Sequence, residues 1–118
     1  MNDEVNFDEK FKALGEYYNI ESPLEIRKQL KMNENIFIFL EKIKPFLEKS
    51  FSEAKFNLQM NFEPETDNEF IILRLDVSEE RFNNGISDEI NSLEFEIWDL
   101  EKELDVRDLL IMPGIRNV

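Results

Sequence analysis

Between Lys55 and Val77 the chain alternates apolar and polar residues twice over. Phe56, Leu58, Met60 and Phe62 alternate with Lys55, Asn57, Gln59 and Asn61, and Ile71, Leu73, Leu75 and Val77 repeat the pattern. A period of two puts each apolar set on one face of a strand. The stretch between them, Glu63 to Glu69, is polar and contains Pro64, Asp67 and Asn68. Two one-sided strands across a polar connection predict an antiparallel hairpin. Such a hairpin is marginal alone and needs helices or a third strand to cover its apolar face.

Helical periodicity on both sides of the hairpin supplies that cover. Ile36, Leu40, Ile43 and Leu47 step by helical turns, and Phe37, Phe39 and Phe46 widen the stripe. Pro45 predicts a kink or break near Lys44, because it removes the bond to the carbonyl of Glu41. After the hairpin, Ser78-Glu79-Glu80 reads as the start of a short helix that ends at Asn83-Asn84-Gly85. Ser87-Asp88-Glu89 then reads as the cap of a longer helix with the seam Ile90, Leu93, Ile97, Leu100 and Leu104. Upstream, Phe7, Phe11, Leu14 and Tyr18 form one face of an N-terminal helix. Ser22-Pro23-Leu24-Glu25 matches a capping box and opens a second. The run Leu109 to Met112, before Pro113-Gly114, fits a short strand beside the hairpin.

The fold expected is therefore α+β, a two-layer sandwich within one domain spanning 1–118. Its antiparallel sheet has two or three strands, covered by the Ile36–Phe51 and Ile90–Leu104 helices. The N-terminal helices pack outside or extend away, residues 1–21 as a loosely held segment.

The order helix, hairpin, helix resembles a family of small uncharacterised bacterial proteins. The residues that carry the resemblance are Ile36 to Leu40, Phe70 to Asp76, Ser78-Glu79-Glu80 and Phe95-Glu96-Ile97-Trp98. It implies a fold and brings no activity and no functional residues with it.

Composition removes several chemistries. The chain has no His and no Cys, so neither a Ser-His-Asp nor a Cys-His centre can be built. Thiolate zinc sites and disulfides are excluded as well. The three glycines are too far apart for a phosphate loop. No apolar run nears the length of a membrane span, and the start Met1-Asn2-Asp3-Glu4 lacks the order of a secretory signal. A cytoplasmic protein without a cofactor, a resident metal or a membrane contact is expected.

The net charge of −13 is concentrated in residues 61–118, where sixteen acids meet five bases. Direct nucleic-acid binding is disfavoured, while a basic protein partner would be steered to this half. Arg27, Lys28 and Lys31 fit the C-terminal end of a helix better than a recognition helix. The acidic stretch Glu63–Glu69 has calcium-like donors but not the spacing of an EF-hand loop. The densest acids are Glu94, Glu96, Asp99, Glu101, Glu103 and Asp105. They suit a solvated helix face, a docking surface or carboxylate chemistry. Trp98 and Phe95 beside them fit core packing on the hairpin first and a partner-binding patch second.

The function expected is a binding or regulatory module that acts through protein–protein contacts, without catalysis. Trp98, Phe95, Glu94, Asp99 and Glu101 are the candidate contact residues. A carboxylate-based metal-dependent site or enzyme is one alternative. A homo-oligomer that pairs through a sheet edge is another.

Overall fold

The hairpin forms as its alternation dictates. In a computed structural model, which describes residues 3–116, β2 (Lys55–Glu63) and β3 (Asn68–Val77) pair antiparallel. The Met1–Asn2 start lies outside the described residues. Phe56 stands opposite Leu75, Leu58 opposite Leu73 and Met60 opposite Ile71. This register gathers both apolar sets on one face. The connection tightens to Pro64–Asp67, with Asp67 left-handed at φ 58.

Two further strands flank the pair. The short β1 (Asn19–Ile20) lies parallel to β2, and β4 (Leu109–Ile115) lies parallel to β3. The sheet is thus four-stranded and mixed, in the spatial order β1-β2-β3-β4. This corrects the expected antiparallel sheet of two or three strands. The reason lies in the connections. A parallel neighbour needs a crossover of a dozen residues or more, commonly a helix, to return the chain to the same end. The segments before and after the hairpin are both such crossovers.

Six helices among the described residues complete the α+β fold: α1 (Asp3–Tyr17), α2 (Pro23–Met32), α3 (Glu34–Lys42), α4 (Lys44–Phe51), α5 (Glu79–Phe82) and α6 (Ile86–Leu104). The break between α3 and α4 falls at Ile43, two residues before Pro45. Two caps differ from their sequence reading. Ser22 precedes α2 in a left-handed conformation with no side-chain cap bond. Its carbonyl accepts from the Glu25 and Ile26 amides, and Pro23 presets the first turn. Gly85, at φ 84, stands at the start of α6, so Ser87 lies inside that helix and does not cap it. Ser78 behaves as expected, its hydroxyl accepting from the Arg81 amide at 3.2 Å.

The core lies between the apolar strand face and the helices. Leu58, Ile71, Leu73 and Leu75 meet Leu40, Ile43, Leu47, Phe51, Leu93 and Ile97 there. The two N-terminal helices also reach it, contrary to the expected outer position. Leu14, Ile26 and Leu30 are buried, as is Tyr18 just past α1. The Tyr18 hydroxyl donates to the Leu40 carbonyl, which satisfies the polar end of a buried ring. Phe62, at the far end of β2, is half-exposed because the hairpin tip runs past the helical cover.

Candidate functional site

The C-terminal half of α6 places its side chains by helical spacing. Ile86, Ile90, Leu93 and Ile97 point into the core. Glu94, Trp98 and Glu101 step by four and three, which makes them a neighbouring stripe. That stripe faces the start of β4 across a cleft of about 210 Å³, lined also by Phe39, Val106, Leu109, Leu110 and Ile111. One wall is apolar, and the other carries two carboxylates and an indole.

Trp98 is 56% exposed. The Lys102 ammonium stands 6.0 Å from its ring centroid, on the helix and not among the cleft-lining residues. Glu101 is partly buried, and desolvation pushes its carboxyl above the usual range, with the nearby Glu94 charge adding to the effect. Among the described residues, no basic side chain lines the cleft. The cleft thus sets two carboxylates beside an apolar wall.

Three of the five candidate residues converge here. Phe95 and Asp99 do not, because each sits one position, about 100° of helix, beyond a lining residue. Phe95 is 84% exposed and Trp98 more than half so, which corrects the core packing that the sequence favours for both aromatics. The opposite wall was not among the candidates. Its trace in the sequence was the run Leu109 to Met112, whose four apolar residues cannot all face inward from a strand.

The other sheet face carries a polar cluster that spans the strands. The Asn19 amide donates to the Asn57 side-chain oxygen, and the Asn57 amide donates to Asp76, both at 2.7 Å. Arg74 donates to both Asp76 oxygens at 2.8 and 3.1 Å, to Gln59 and to Glu21. Asn57 and Asp76 are 3% and 7% exposed. Every buried side-chain polar atom among the described residues has a partner. With its donors spent inside the protein, Arg74 braces the sheet and has little left for a ligand.

The remaining candidates stay separate. The acidic turn 63–69 is exposed, and no group of three or more acidic side chains that could hold a metal ion occurs among the described residues. Arg27 is committed to Asp8 and lies 5.3 Å over the Phe7 ring. No described helix is long and apolar enough to cross a membrane. Compared with family models, curated proteins and solved structures, the chain matches none.

Proposed function

We propose that the chain is a small acidic cytoplasmic module that acts by binding a basic segment of another protein. The observation that carries this reading is the α6–β4 cleft: an exposed Trp98 beside Glu94 and Glu101, with no basic side chain among the described residues that line it. Aromatic residues at the centre of a contact supply area at low entropic cost, and flanking carboxylates select the sign of the partner. The charge of the C-terminal half would speed encounter with such a partner.

Trp98 is the sole tryptophan, so its emission reports on this cleft alone. Short Lys-rich peptides with apolar residues should change that emission and bind less tightly as NaCl rises. Their Glu-substituted counterparts should not bind. Followed through a labelled peptide, the double variant Glu94→Gln, Glu101→Gln should weaken binding by about tenfold. Equal binding of acidic and basic peptides, or indifference to salt, would refute the reading.

A further inference from the structure

β4 bounds the sheet, and no strand among the described residues pairs with its outer edge. Which of its backbone groups face outward follows from two hydrogen bonds. The Ile71 amide donates to the Asp108 carbonyl at 2.8 Å, and the Arg116 amide donates to the Val77 carbonyl at 2.6 Å. Backbone direction alternates along a strand, so the even-numbered residues from 108 to 116 turn toward β3. Leu109, Ile111, Pro113 and Ile115 turn their backbone groups to the open edge. Pro113 has no N–H to offer, and it falls in the outward set, where the ladder loses nothing.

Leu109 and Ile111 also line the Trp98 cleft. The open hydrogen-bonding edge and the acidic cleft are therefore one continuous surface. A strand laid along that edge would send alternate side chains to the helix side, beside Glu94 and Glu101. The side chains between them would lie on the other face, next to the half-exposed Leu110 and Met112. Both requirements point to one ligand pattern.

We infer that the Leu109–Ile111 edge of β4 is a strand-addition site for an extended segment in which Lys or Arg alternates with apolar residues. The main chain would supply affinity, and the cleft would select the basic side chains. This rests on the binding reading above and adds the mode and the residue pattern. A second copy of the chain fits less well, since it brings its own net charge of −13 to an acidic edge.

The test uses a labelled nine-residue peptide alternating Lys and Val, two N-methylated versions, and a Lys/Leu peptide of the same charge with helical periodicity. N-methylation of one alternate set of residues should weaken binding at least about tenfold. Methylation of the other set should leave it nearly unchanged. The Leu109 and Ile111 amides should become protected from hydrogen exchange when the peptide binds. Strand addition is overturned, with the basic-partner reading intact, if the helical peptide binds as well or if both methylated sets bind alike. Failure of all the basic peptides overturns both. Concentration-dependent dimerisation that protects the same two amides without peptide would assign the edge to a second copy and also overturn the proposal.

Discussion

A Cβ on residue 114 would collide with the Asp76 Oδ1 atom and stand 2.9 Å from the Arg74 Cδ. Gly114 faces Asp76 across the β3–β4 ladder, so the Arg74–Asp76 pair lies over the bare backbone of β4. Asp76 cannot swing aside without breaking its bond to the buried Asn57. Gly114→Ala should therefore cost about 2 kcal/mol in urea unfolding, from lost charged hydrogen bonds and strain. In an Asp76→Ser background the worst collision is removed and only the flexible Arg74 stem must shift, so the added cost of Gly114→Ala should shrink well below that value. Equal costs in both backgrounds would show that the cluster does not govern the position. Glu101 gives a prediction of the opposite sign. Its carboxyl is harder to ionise folded than unfolded, so its charge opposes folding. That penalty is absent below the ordinary carboxylate range, grows as pH rises through it, and is complete above the raised folded value. Glu101→Gln should melt slightly higher than the parent at neutral pH, with the difference vanishing in acid. A lower melting temperature for the variant at pH 7 would contradict this.

At the scale of elements, legibility follows how each one is stabilised. The hairpin and α6 are readable because each buries one face along most of its length, so the burial pattern is written in the residue spacing. The interruption of the long helix was readable because Pro45 acts through its own covalent geometry. β1 left no such trace. It is two residues long and is held by pairing with Asn57 and Leu58, which are remote in the chain. The run 109–112 announced a strand, but its parallel direction is a property of the crossover before it and not of its composition. The candidate cleft divides the same way. Trp98, Glu94 and Glu101 share one stripe of one helix and could be picked out. Phe39 and Val106 join them through tertiary packing, which local periodicity does not encode. Phe95 and Trp98 were ambiguous because the inward-facing residues of α6 already fill its core stripe. Trp98 stands about 100° of helix from Ile97, at the margin of that stripe, and Phe95 about 200° from it, on the side away from the core.

For the whole molecule, charge balance sets the response to salt. Twenty-seven acids oppose fourteen bases, and folding brings the surplus together. Self-repulsion of this kind destabilises a compact chain and is screened as the Debye length falls from about 30 Å at 0.01 M to about 8 Å at 0.15 M. Salt also weakens attractive pairs, of which Arg81 with Glu53 and Glu89, and Arg74 with Asp76, are the least exposed among the described residues. Exposed pairs contribute little each, and the Arg74 cluster is partly shielded from ions, so repulsion should dominate. Raising NaCl across that range at neutral pH should therefore raise the melting temperature by about 4 °C, equivalent to about 1 kcal/mol for a domain of this size. The rise should level off beyond that, once the remaining charges lie farther apart than the screening length. NaCl suits the measurement, because sulfate would strengthen apolar burial whatever the charge. A melting temperature that falls with NaCl would mean that the ion pairs outweigh the surplus. The acidic half would then stabilise the fold and would not be held in reserve for a basic partner.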